Sequence, residues 1–91
     1  MQLEIVSPEA QLFSGEVSSV TVPGASGSFQ ILNNHAPIVS TLVEGRVKIQ
    51  GKISLDEPNR SKFIQEGEHT YLDIQSGAIE LSDNKVILLT E

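Results

Sequence analysis

No part of this chain spaces its apolar residues at three and four over the length that a buried helical face needs. They alternate, or come in runs of a few residues, and Gly, Pro, Asn or Asp interrupts them throughout. That pattern permits short strands and little else. QLEIV (2–6) puts Leu3 and Ile5 on one face, and EVSSVTV (16–22) does the same for Val20 and Val22. SFQIL (28–32) follows the turn PGASG, and IVSTLV (38–43) follows Pro37. RVKIQ (46–50) alternates most regularly, with Val47 and Ile49 inward and Arg46, Lys48 and Gln50 outward. KISL (52–55), SKFIQ (61–65), TYLDIQ (70–75) and GAIEL (77–81) read as further strands. KVILL (85–89) is apolar on both faces, which predicts a central strand. SDN (82–84) reads as a turn, and DEPN (56–59) as the mobile tip of a hairpin. The expected fold is all-β: two stacked antiparallel sheets, a β-sandwich of about ten short strands. No repeat or change of composition divides the chain, so residues 1–91 are expected to form a single domain.

With 91 residues, three Phe, one Tyr and no Trp, the core must be built from Ile, Leu and Val. A net charge of −6 argues against nucleic acid as a partner, because phosphate backbones are held by clustered Lys and Arg. It equally disfavours direct docking on anionic lipid. There is no cysteine, hence no disulfide, thiolate nucleophile or Cys-ligated zinc. MQLEIVSPE lacks the basic start and apolar run of a signal peptide, and no apolar stretch approaches the roughly 20 residues of a membrane span. Any membrane association is expected to be indirect, through a protein partner.

Catalytic constellations are hard to find. His35 and His69 are the only histidines, and neither has a nucleophile or carboxylate at a spacing that would orient it. Asp56, Glu57, Glu66 and Glu68 lack the spacing of a calcium loop. PGASGS leads into a strand pattern and not a helix, so it is not a phosphate loop. Lys52, behind Gly51, resembles the modified lysine that biotinyl and lipoyl carrier domains display on a hairpin. A carrier module of that kind, or a small β-barrel enzyme, is the alternative reading. No cofactor and no metal site is expected. The residues alone lead to a small acidic β-module that works by interaction.

Taken in order, several motifs resemble one family. They are VSPEAQLFSGEV (6–17), PGASGSFQILNNHAPIVSTLVEGRVKI (23–49) and YLDIQSGAIELSDNKVILLTE (71–91). Together they are similar to the N-terminal β-sandwich domain of the epsilon subunit of F-type ATP synthase, over nearly the whole chain. The resemblance implies a non-catalytic rotor subunit of the central stalk. Such a subunit binds the gamma subunit, docks on the c-ring and couples proton transport to ATP synthesis. It would lie peripherally on the cytoplasmic face of the bacterial inner membrane, or an equivalent energy-transducing membrane. Carried over by position, the c-ring loop falls on Ser28, Gln30, Asn33, Asn34 and His35. Four departures stand out. Asn33-Asn34 replaces the family's Pro-Gly before the histidine, and Asn tolerates the left-handed backbone that such a turn requires. Ser28 stands where the family often has an acid. The stretch from Gly51 to Glu68 is longer than usual and implies an extended hairpin. The chain ends at Glu91, after its last strand, so the C-terminal helical hairpin with which family members commonly continue is expected to be absent.

Overall fold

A computed structural model describes residues 1–57 and 59–91. Among these it contains ten strands: β1 (Gln2–Val6), β2 (Gln11–Glu16), β3 (Ser19–Gly24), β4 (Gly27–Leu32), β5 (Ile38–Leu42), β6 (Gly45–Gln50), β7 (Phe63–Glu66), β8 (His69–Ile74), β9 (Gly77–Ser82) and β10 (Lys85–Thr90). The helical content described is one 3-10 turn, Asn59–Lys62. No described helix is long and apolar enough to cross a membrane.

The strands form one curled sheet with two arms. One arm runs β2-β1-β10-β9-β5, and the other β3-β6-β8-β7 with β4 on the free side of β3. They meet at a corner where Gly24 of β3 pairs with Leu42 of β5. The Ala25 N–H donates to the Thr41 carbonyl (3.1 Å) and the Val43 N–H to the Pro23 carbonyl (2.9 Å), which closes the corner. The fully buried side chains are all Leu, Ile and Val, and they come from both arms into one cluster. The aliphatic core is therefore as the composition required. The predicted alternation also holds: Leu3, Ile5, Val20, Val22, Val47 and Ile49 are completely buried.

Four expectations need correction. Not all pairing is antiparallel, because β1 and β10 run parallel, with Leu3 opposite Val86 and Ile5 opposite Leu88. The stretch 11–17 holds a separate strand, β2, and the segment expected as one strand over 16–22 begins only at Ser19. Alternation failed there because β2 carries a bulge. Ile5 pairs with Phe13 but Val6 with Gln11, so Leu12 is left over and turns inward beside Phe13. KISL is not a strand, and no extended hairpin follows β6. β6 pairs with β8, and β7 lies on the outer side of β8. The chain crosses between them without a strand over residues 51–57 and through the 3-10 turn Asn59–Lys62. Leu55 anchors this crossing in the core, and its carbonyl accepts from Arg60 Nε (3.3 Å) and Nη2 (3.0 Å). Pro58, within the predicted hairpin tip, lies outside the described residues.

Without a hairpin after β6, Lys52 has no tip to occupy. It sits exposed in the crossing segment, and the geometric basis of the carrier reading is gone. His69 opens β8, a strand flanked on both sides.

Candidate functional site

β4 is an edge strand, paired only to β3. Its alternation turns Ile31 into the core and leaves Ser28, Gln30 and Leu32 exposed. The chain then leaves the edge through residues 33–37 and enters β5 in the other arm. Asn33, Asn34 and His35 are all exposed in this crossing. Asn34 adopts φ 64°, the left-handed conformation that asparagine accepts more readily than other side-chain-bearing residues. The His35 N–H closes the turn onto the Leu32 carbonyl at 3.2 Å.

The five predicted residues are thus all at the surface, but not in one spot. Asn33, Asn34 and His35 share the turn at the end of β4. Ser28 lies near its start, roughly 17 Å away at about 3.4 Å per residue. Gln30 lies between them, and its side chain donates to Ser19 Oγ at 3.4 Å. The set describes a footprint along a strand edge. His35 has no carboxylate partner; Nδ1 lies 2.7 Å from the Ala36 carbonyl, a contact within its own turn. Nothing in this arrangement activates a nucleophile or gathers metal ligands.

The structure adds two features that no sequence signal placed. The first is Asn84, which reaches the turn across fifty residues. Its Oδ1 accepts from the Asn34 N–H at 2.8 Å, and its Nδ2 donates to Asn33 Oδ1 at 2.9 Å. SDN was legible as a turn, and Asp83 and Asn84 do take positive φ (51° and 59°) between β9 and β10. Its neighbour in space was not legible.

The second is an apolar face on the outside of the first arm. Pairing aligns Thr41, Ala78, Leu89 and Val6 in one row, and Val39, Glu80, Ile87 and Glu4 in the next. Val39 is 78% exposed and Leu89 51%, unusually open for large aliphatic residues in a sheet. With Ala78, Ile87 and Glu80 they line a shallow groove, apolar but for the one carboxylate. At the margin, Lys85 Nζ pairs with Glu4 at 3.2 Å. The outward residues that made KVILL apolar on both faces belong to this surface.

The outer face of the second arm is mostly polar, with Leu32 and Ile64 as exposed aliphatic residues among polar ones. Arg46 Nε donates to Asp73 Oδ1 at 2.7 Å and Nη2 to Oδ2 at 3.2 Å, and the guanidinium lies 5.5 Å from the Tyr71 ring centre. The hydrogen bonds from Arg46 hold the Asp73 carboxyl below the ordinary aspartate range.

Comparison with known proteins adds three findings. The family model described as the β-sandwich domain of the ATP synthase delta/epsilon chain matches residues 1–91. The ATP synthase epsilon chain of Chlorobium limicola is 41% identical over 99% of this chain and 88% of its own. That of Leptospira interrogans is 36% identical over the whole of this chain and 61% of its own. Among solved structures, one of the Tetrahymena thermophila mitochondrial ATP synthase central stalk and c-ring superposes with a TM-score of 0.75. It covers 98% of this chain and 61% of that one, at 15% identity, a likeness of fold.

Proposed function

The chain belongs to the β-sandwich family of ATP synthase delta/epsilon chains, and from that premise we propose that it is a non-catalytic rotor subunit of the central stalk. In this reading it binds the gamma subunit, docks on the c-ring and couples proton transport to ATP synthesis. It is held at the membrane through the complex, on the cytoplasmic side in a bacterium.

The observation that carries the proposal is the placement of two unlike surfaces on either side of one turn. The apolar face of β5, β9 and β10 suits a protein partner that removes Val39 and Leu89 from water. We assign it to gamma. The exposed edge of β4 with the turn after it offers hydroxyl, amide and imidazole groups, which suit polar c-ring loops near lipid headgroups. Residues 33–37 link the two surfaces, so force applied at one reaches the other through a short, proline-ended connection.

The test is association of the 91-residue chain with the gamma subunit of the same ATP synthase, followed by calorimetry or sedimentation. Micromolar or tighter binding is expected. Val39→Lys should weaken it by roughly tenfold or more by burying a charge at the interface, with the circular dichroism and unfolding midpoint little changed because Val39 is already exposed and a lysine there faces Glu80 across the strands. His35→Ala should leave gamma binding intact and weaken attachment to c-ring membranes. Absence of any association with gamma at micromolar concentration would overturn the assignment.

A further inference from the structure

We infer that Asn84 is a positioning residue for the docking turn, clasping Asn33 and Asn34 so that His35 is presented in one fixed orientation. The inference rests on the c-ring reading of that turn and deepens it.

The geometry is specific in both directions. A side-chain amide has one acceptor and one donor end, and Asn84 uses each on a different partner. Oδ1 takes the backbone N–H of Asn34 (2.8 Å), and Nδ2 gives to the side-chain oxygen of Asn33 (2.9 Å). Exchanging the two ends would set the NH2 group against the Asn34 N–H, donor facing donor, so the pattern fixes its own orientation. Asn84 is itself held: its backbone carbonyl accepts from the Gln2 N–H at 3.1 Å, and its φ of 59° belongs to the two-residue turn joining β9 to β10. That turn sits on the central strands of the first arm.

The docking turn needs such support. β4 has a neighbour on one side only, and residues 33–37 leave it to cross to the other arm. Apart from the clasp, the backbone bond that holds the crossing among the described residues is that from the His35 N–H to the Leu32 carbonyl. Asn84 ties this crossing to the arm it is about to enter. One consequence concerns the partner surface. The side-chain oxygen of Asn33 is engaged within the chain, so Asn33 holds the turn while His35 faces outward. A Pro-Gly pair at positions 33 and 34 would have no side-chain oxygen for Asn84 Nδ2. The Asn-Asn pair therefore adds a tether between the arms.

Two measurements on the full 91-residue chain test this. The first is amide hydrogen exchange by NMR. Asn84→Gly keeps the left-handed backbone and removes the clasp, so exchange at Asn34 should accelerate roughly tenfold, the scale of one lost hydrogen bond. Amides of β3 and β6 should not change. Asn84→Asp keeps the acceptor, and Asn33 can turn its amide so that its NH2 group donates to the second carboxylate oxygen, so protection at Asn34 should be preserved. Should Asn84→Gly fail to fold, Asn33→Ala removes the other end without touching the β9–β10 turn, and Asn84→Asp still reports on the acceptor. Unchanged exchange at Asn34 in Asn84→Gly, or loss of protection in Asn84→Asp, overturns the clasp. The second measurement is rebinding to ATP synthase membranes stripped of this subunit. Variants lacking the clasp should bind several-fold more weakly with the same gamma affinity. Faster exchange with unchanged rebinding overturns the positioning role alone. Failure of the unaltered chain to rebind overturns the rotor reading itself.

Discussion

Asp73 accepts two hydrogen bonds from one guanidinium on an open sheet face, and its acidity records them. Its carboxyl lies below the ordinary aspartate range, chiefly because of the hydrogen bonds from Arg46; desolvation opposes the shift, and the positive charge of Arg46 adds a lesser lowering. The sign follows from linkage. A depressed folded-state pKa contributes stability above the ordinary aspartate value, and the contribution is lost as pH falls through the depressed one. Arg46 is shifted upward, so its counterpart lies in strong alkali and the acid limb is the measurable one. Arg46→Gln should return the Asp73 carboxyl toward its ordinary value, read by carbon NMR titration of that side chain. An unchanged midpoint would show that the pair does not persist in solution. Since both side chains are more than half exposed, salt should narrow the difference. None of this was legible in the sequence, where Arg46 and Asp73 lie in different strands and are merely outward positions in two alternations.

Among the strands, alternation proved readable wherever pairing was regular. β1 and β6 follow it closely, and β10, apolar on both faces, is central as that predicted, lying between β1 and β9. Its two faces nevertheless do different work. Leu88 is fully buried, while Leu89, the next residue, is half exposed on the proposed gamma surface. Leu88→Ala should cost about 2–5 kcal/mol of stability, as core truncations do. Leu89→Ala should cost less than about 1 kcal/mol and should instead lower gamma affinity. Urea unfolding of the two variants checks the contrast, and equal losses would refute the assigned facing. Where pairing was irregular, alternation misled. The bulge at Leu12 hid β2 by turning two successive side chains inward. KISL imitated a strand because Ile53 and Leu55 pack on the core from a segment with no strand partner. Period two reports a half-buried extended chain and says nothing about whether a neighbour is hydrogen-bonded to it.

Across the whole molecule, stability should follow strand order and not chain order. β10, β9 and β6 are flanked on both sides, whereas β2, β4 and β7 end the arms. Native-state hydrogen exchange should therefore be slowest in β9, β10 and β6, and fastest in β7, the free edge of β4 and residues 51–62. Strong protection throughout 51–57 and 59–62 would mean that the crossing pairs in a way not found among the described residues. The same view separates what could be known from residues alone. The sequence by itself determined an all-β chain with an aliphatic core, most of its strands and turns, and the family, through motifs ordered along nearly its full length. These depend on which residue types recur at which local spacing, and spacing is written in the chain. Only the tertiary structure decided that β1 and β10 run parallel, that β8 and not β7 pairs with β6, and which side of β10 is left uncovered. It alone brought Asn84 to Asn34. Strand direction, partner choice and contacts across fifty residues are set by how two arms close over one core, and each strand's local pattern is compatible with several such closures.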